Sequence, residues 1–464
     1  MFNNGQKRKP TTGEAITALM LVIAVILISI KTALVLETAL VFGATAAALV
    51  ALYLGCSWED IEKGMLDGMR NGLGACIILI VIGMVVGTWI LGGTIQTMIY
   101  YGLKLLTPQI FVPVAFLLCS LTSVLIGSSF GTIATMGIVL MGVAEGLGIP
   151  RAITAGAIVA GAMFGDKVSP LSDSTNLTAA MTGTKLFDHV RSMLYVSGPG
   201  MIISLIIYSF VGRNYAAVEN VNLGTVDSIL STLSSNFNLS LVTLVPPAIV
   251  ITLSVLKVPA IAALMISFVS AGISSIFTQG ASLAGIIEVG ANGFVSNTGH
   301  ELIDKLLTQG GVNSMMSTVA IIMAGTAMGG ILEKCGILQV LLETLMKYIK
   351  KPRDLILASL ASAYIMLLAT GEMMVSIIVP GRTLEPAFRE MKIHTSVLSR
   401  TLETGATLMC GALPWGVASV YAQNVLGVGL EYIPYCYLPF IAPIMVIIYA
   451  FIGFATFPAE SEES

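Results

Sequence analysis

Charge is what this sequence has least of. Of 464 residues only 11% are Asp, Glu, Lys or Arg, while 56% are hydrophobic and the mean hydropathy is +0.91. A soluble domain carries about 25% charged residues. A chain this poor in charge cannot cover its own surface in water, so lipid is the solvent and partner for most of it. Nor is there a surplus of one sign: a net charge of −3 gives no reason to expect a nucleic-acid partner. Histidine is scarce, and His189, His300 and His394 stand far apart in sequence. The six cysteines (Cys56, Cys76, Cys119, Cys335, Cys410 and Cys436) form no CxxC pair and have no histidine at metal spacing. That excludes a zinc or haem signature and leaves the thiols as small apolar residues. No nucleophile–base constellation is visible, so neither an enzyme nor a cofactor is expected.

What the sequence does have is apolar length. Runs able to cross about 30 Å of hydrocarbon occur near 15–30, 33–54, 72–91, 193–211, 239–256, 258–277, 312–332 and 433–457. The first is read as a span and not a cleaved leader, because Lys31 and Thr32 lead straight into the next run. Stretches 151–182 and 395–426 are apolar but interrupted. Stretches 110–147 and 354–390 carry a polar break, IGSSFGT (126–132) and ATGEMMVS (369–376), and are read as re-entrant helical hairpins. Such breaks survive in a membrane only where they line a cavity or are covered by protein. Segments 57–71 and 94–106 keep apolar faces beside charge and are expected to be interfacial helices.

This gives ten crossings and two hairpins. With the N-terminus in the cytoplasm, most Lys and Arg fall inside; Lys31, Lys104, Arg151, Arg213 and Lys305 fall outside, and Lys167 and Arg382 fall within the membrane. The expected organisation is a cytoplasmic tail (1–14), a first repeat (15–211), a polar extracellular linker (212–238), a second repeat (239–457) and an acidic cytoplasmic tail (458–464).

The repeats announce themselves by a constant offset of 244 positions. Pro108 matches Pro352, Gly127 matches Gly371, Gly161 matches Gly405, Pro170 matches Pro414 and Gly183 matches Gly427. Each half holds five crossings, one of them broken, and one hairpin. Five is odd, so the second half enters from the opposite side. The expected fold is therefore an all-α polytopic membrane protein built of two inverted repeats, the pattern of an alternating-access secondary transporter.

The most informative segment is Gly165-Asp166-Lys167-Val168-Ser169-Pro170-Leu171-Ser172-Asp173-Ser174-Thr175-Asn176. Pro170 should break the helix and free backbone groups that can hold an ion. The carboxylates, hydroxyls and amide are hard oxygen ligands that suit Na⁺. A carboxylate at a helix centre costs about 2.5–3.5 kcal/mol and needs a cation, a proton or Lys167 beside it. Alternatively, Asp166 and Lys167 form an ion pair at the end of the span, or the whole segment is a cytoplasmic loop. Asp173, with no adjacent base, is the expected group to alternate between H⁺ and Na⁺. Ser128, Ser129 and Thr132 mark the first hairpin tip, as ligands or as helix caps. Glu372 and Ser376 mark the second, and a cap would not need the charge of Glu372. Glu37 and Glu403 lie within spans, either functional or ion-paired, Glu403 for example with Arg400. The second break, Leu413-Pro414-Trp415-Gly416, is apolar.

GDKVSPLSDSTNLTAAMTGTKLFDHVRSMLY (165–195) closely resembles the signature of the NhaC-type sodium/proton antiporters. So do GTWILGGTIQTMIYYGLKLLTP (87–108) and LSRTLETGATLMCGALPWG (398–416), and the likeness extends over nearly all of the chain. The resemblance implies the ion-transporter superfamily fold, Na⁺ and H⁺ exchange, and a bacterial inner membrane. By motif match it points to Asp166, Ser172, Asp173, Thr175 and Asn176, with Na⁺ expected at Asp173, Thr175 and Asn176. It also implies an Asn after the second Pro-Trp; Gly416 stands there, one oxygen fewer and more room. The family includes malate/lactate antiporters, so a small organic acid or an amino acid is the alternative cargo. Arg382, Trp415 and the hairpin-tip hydroxyls would be its contacts. Related folds are usually homodimers.

Overall fold

The computed structural model describes residues 8–31, 36–216, 223–256 and 258–458. Residues 1–7 of the expected N-terminal tail, residues 217–222 of the linker, Lys257, the tail from 459 and the side chain of Glu37 lie outside the described residues. Helices carry the chain. Among the described residues the only β pairings are two isolated bridges, Phe294 with Gln309 and Ile393 with Pro458. The preference follows from the solvent: in hydrocarbon a backbone must satisfy its own N–H and C=O groups, and a helix does so within one segment.

Among the described residues, eight helices are long and apolar enough to cross a membrane: Thr12–Ser29, Trp58–Leu91, Pro108–Ile126, Ser129–Gly146, Leu186–Arg213, Ile261–Gln279, Val312–Lys334 and Pro352–Thr370. Shorter apolar helices, Thr38–Tyr53 and Tyr437–Ile452 among them, occupy stretches 33–54 and 433–457. The chain is an all-α multi-pass membrane protein.

Two expectations at 57–106 are corrected. Segment 57–71 is not a separate interfacial helix. Ser57 caps a continuous 34-residue helix, Trp58–Leu91, by accepting from the Asp60 N–H. At 1.5 Å per residue this helix is about 50 Å long, well beyond the hydrocarbon thickness. Its glycines explain why it stays whole: they let it pack backbone to backbone on Val312–Lys334. A Cβ on Gly68 would lie 2.1 Å from the Thr326 carbonyl, and one on Gly330 2.1 Å from the Gly64 carbonyl. Segment 94–106 does form a helix, Thr94–Leu105, but buries Ile95, Ile99 and Leu103. It begins at left-handed Gly93, and its counterpart, Ile337–Met346, begins at left-handed Gly336.

The 244-residue offset persists in local structure. Pro108 and Pro352 open helices that end at left-handed Gly127 and Gly371. The next residues, Ser128 and Glu372, cap the returning helices. Helix Arg151–Val168 is broken from Asp173–Met181, as Thr395–Leu408 is broken from Val417–Leu426, and Gly183 and Gly427 both have positive φ. Packing explains the matched glycines. A Cβ on Gly161 would lie 2.4 Å from the Phe116 carbonyl, and one on Gly405 would lie 2.8 Å from Ala363 Cβ. Each broken helix thus lies tight against the hairpin of its own half. The correspondence is not perfect, since π turns fall at Ile133–Gly137 and Thr404–Leu408, which do not match.

Candidate ion-binding site

The break at Pro170 and both hairpin tips face one cavity of about 150 Å³. The tips contribute Gly127, Ser128, Glu372 and Met373, the break contributes Asp166, Ser172, Asp173 and Ser174, and the long helix closes the wall with Asn71. Three carboxylates line it, and no Lys, Arg or His does.

Asp166 is the centre of the arrangement. It sits in the last turn of Arg151–Val168, buried, and accepts from Ser129 Oγ and Ser172 Oγ, both at 2.6 Å. Ser172 Oγ lies 3.1 Å from Ser174 Oγ, and Ser174 Oγ donates to Glu403 Oε1 at 2.9 Å. Glu403 Oε2 lies 2.6 Å from His189 Nε2, both side chains fully buried. From Asp166 to Glu403 there are three contacts but only two hydroxyl hydrogens. When both carboxylates are ionised, Ser172 and Ser174 each donate outward and nothing joins them. One proton on either carboxylate supplies the third hydrogen and completes the chain. The chain thus has one vacant hydrogen position, which a single proton on either carboxylate fills.

The remaining expected residues divide by location. Asp173 is exposed, lines the cavity, and is the first residue of its helix, where backbone N–H groups favour an anion. Thr175 and Asn176 do not line the cavity. Thr175 Oγ1 donates to the Asp166 carbonyl at 3.2 Å, and Asn176 Nδ2 donates to the carbonyls of Pro170 and Ser172 at 3.0 and 2.8 Å. The Thr175 hydroxyl and the Asn176 amide N–H groups thus tie the break together. Thr132 and Ser376 bond back to the carbonyls of Ser128 and Glu372. Glu372 is a cap after all, accepting from the Val375 N–H at 2.8 Å, and it lines the cavity as well. Arg382 is exposed and does not reach the cavity. Trp415 donates from Nε1 to the Leu368 carbonyl at 3.0 Å, fastening the second break to its hairpin.

Three further expectations are corrected. No ion pair joins Asp166 to Lys167 among the described residues; Lys167 Nζ instead donates to Thr404 Oγ1 at 3.4 Å. Glu403 pairs with His189 and not with Arg400, whose Nη1 reaches Ser192 Oγ and whose guanidinium lies over the Phe457 ring. Gly416 leaves no extra room, because a Cβ there would lie 2.5 Å from the Cys410 carbonyl. Sequence reasoning missed Asn71, assigned to an interfacial segment, and His189, which was given no role and lay between the stretches 151–182 and 193–211. A histidine one turn before a long apolar run was the available signal for the second.

Comparison with known proteins gives the family. The profile described as "Na+/H+ antiporter family" matches residues 7–174 and 161–454. The chain belongs to the Na⁺/H⁺ antiporter family. It is 35% identical to the Na⁺/H⁺ antiporter NhaC of Alkalihalophilus pseudofirmus, over 96% of this chain and 97% of that one. It is 36% identical to the malate-2H⁺/Na⁺-lactate antiporter of Bacillus subtilis, over 96% of each chain. The arginine/ornithine antiporter ArcD of Halobacterium salinarum is 32% identical, over 99% of this chain and 95% of that one. Family membership thus fixes a transporter and leaves the cargo to the site.

Proposed function

We propose that this chain exchanges Na⁺ for H⁺ across a bacterial inner membrane by alternating access. The observation that carries the reading is a small cavity lined by Asp166, Asp173 and Glu372 with no basic side chain. Three carboxylates in one cavity repel one another unless a cation or a proton sits among them. Na⁺ entering beside Asp166 and Asp173 would favour their ionised forms and expel the proton shared between Asp166 and Glu403. A proton returning would weaken the hold on Na⁺. That mutual exclusion is what an exchanger needs at one site. Neither step requires a cofactor or any enzymatic chemistry.

The matched breaks support two inverted repeats, 15–211 and 239–457, joined by an extracellular linker, with both termini cytoplasmic. The charge asymmetry of the loops supports the same orientation. An organic anion such as malate or lactate would meet three like charges in this cavity and no counter-charge, so it is the weaker reading.

Reconstitution in liposomes tests the choice. A Na⁺ gradient is imposed while internal pH is recorded, with and without malate, lactate, arginine and ornithine. Proton movement driven by Na⁺ alone is expected. Proton movement only when an organic solute is present would overturn the proposal.

A further inference from the structure

The polar chain continues past Glu403 to the other side of the broken helices. His189 Nδ1 lies 2.8 Å from Ser399 Oγ. The hydroxyls of Ser399 and Ser192 both donate to the Ser396 carbonyl, at 3.1 and 2.9 Å. Ser396 Oγ in turn lies 2.8 Å from His394 Nδ1. Ser192, Ser396 and His394 line a second cavity, of about 220 Å³, together with Asp188 and Arg191. This cavity shares no lining residue with the one at Asp166. On one ring edge the Ser399 hydroxyl and the Ser396 carbonyl stand between His189 and the wall of the second cavity, and the other edge lies against Glu403.

We propose that His189 passes protons between the second cavity and Glu403, so that H⁺ reaches the exchange site by a route separate from the Na⁺ cavity. The inference rests on the Na⁺/H⁺ exchange reading. An imidazole suits the task because its two nitrogens face opposite ways and can accept at one while releasing at the other. In the tautomer that carries its proton on Nε2, the Ser399 hydroxyl turns from the Ser396 carbonyl to Nδ1. A hydronium ion that comes from the second cavity past that carbonyl gives a proton to Ser399 Oγ and leaves water. The Ser399 hydroxyl proton passes to Nδ1, and the Nε2 proton passes to Glu403 Oε2. One proton has moved inward, Glu403 is neutral, and the ring is left as its other tautomer, which the reverse transfer restores. From Glu403 the proton continues through Ser174 and Ser172 to Asp166.

The surrounding charges fit a path and not a rigid ion pair. Glu403 faces Nε2. Arg400, on the helix that carries Ser399, turns to Ser192 and the Phe457 ring, and Lys167 turns to Thr404. On the histidine's own helix, Asp188 and Arg191 line the second cavity, as does Tyr195. Among the described residues no Lys or Arg lies within ion-pair distance of Glu403, whose carboxylate faces the His189 ring.

The test uses full-length protein in liposomes and two readouts: Na⁺-driven proton movement, and Na⁺/Na⁺ counterflow at fixed pH, which needs no proton. In His189→Gln, proton movement should fall about a hundredfold, while counterflow stays within about twofold of wild type. Ser399→Ala should show the same split at a smaller size, roughly fivefold, because water can replace a hydroxyl in a path. Proton movement in H189Q within about twofold of wild type would overturn the inference. So would a parallel loss of both readouts in either variant, the signature of a purely structural residue. Wild-type protein that shows counterflow but no Na⁺-driven proton movement would overturn the exchange reading itself, an outcome distinct from both.

Discussion

At Pro170 and at Pro414 the chain interrupts a helix in the same way, and each interruption is held by the hairpin of its own half. What the two breaks present is different. The first offers Asp166, Ser169, Ser172 and Asp173; the matching positions of the second are Cys410, Leu413, Gly416 and Val417. Asp166 gathers side-chain hydroxyls, from Ser129 and Ser172. Cys410 gathers backbone, its Sγ lying 3.6 Å from the Gly371 carbonyl and 3.4 Å from the Ala418 nitrogen. At one position a carboxylate builds a polar network, and at the other a thiol clips a tip to a break. The reverse holds at the tips, where Ser128 of the first is matched by Glu372 of the second. The comparison separates two demands on one backbone: a broken helix needs small residues and good packing, while an ion site needs oxygen on one side of it only.

Exchanging chemistry at the matched pair should break the comparison most sharply. Asp166→Asn keeps the size and removes the charge and the shared proton. Na⁺-driven proton movement should fall on the order of a hundredfold, which corresponds to about 2.7 kcal/mol. Cys410→Ser, at the equivalent position, should stay within about twofold of wild type in the same liposome assay. Equal losses in the two variants would mean that the second break is as functional as the first.

The next effect should be symmetric, because it concerns the shared backbone. Gly127 and Gly371 are both left-handed, with φ of 71° and 66°, and a Cβ on either would lie 2.8 Å from backbone of its own break. Gly127→Ala and Gly371→Ala should each cost roughly 2 kcal/mol or more, from left-handed strain together with overpacking. Thermal unfolding in detergent should show similar downward shifts. A large loss in one half alone would show that only that hairpin is locked to its break.

Glu372 ranks third. Glu372→Gln keeps an oxygen for the Val375 N–H and removes one of three cavity charges. Apparent Na⁺ affinity should fall about five- to tenfold, within the usual size of a nearby-charge effect, with stability unchanged. Glu372→Ala should lose the cap as well, about 1 kcal/mol. Unchanged Na⁺ affinity in E372Q would reduce Glu372 to a cap.

The glycines matched at the 244-residue offset were legible because packing writes itself into sequence locally: a glycine is needed wherever a neighbour comes too close for a Cβ. Asp166, Ser172 and Asp173 were legible because charge and hydroxyls in an apolar run have few other uses. The partner of Glu403 was not. Arg400 is its neighbour one turn away, yet the two side chains diverge, and His189 arrives from a helix 214 positions earlier. Such pairing depends on tertiary approach, which hydropathy and motif spacing do not encode. The continuous helix Trp58–Leu91 was cut short for a related reason. Its charged first turns look interfacial by composition, while the glycine contacts that hold them against Val312–Lys334 become visible only with both helices in place.

Trp415 gives the smallest expected effect and the finest test of the division between packing and chemistry. By composition it is the most conspicuous residue of the second break and a natural substrate contact. In the fold it is buried, absent from the cavity wall, and donates to the Leu368 carbonyl. Trp415→Phe keeps an aromatic ring and deletes that donor, so stability should drop by about 1 kcal/mol. Apparent Na⁺ affinity and the pH dependence of exchange should not change, because Trp415 does not line the cavity. The second break reaches the cavity wall only through apolar Val417, so a shift in Na⁺ affinity at constant stability would give Trp415 a part in the ion site, and the two breaks would then share chemistry as well as backbone.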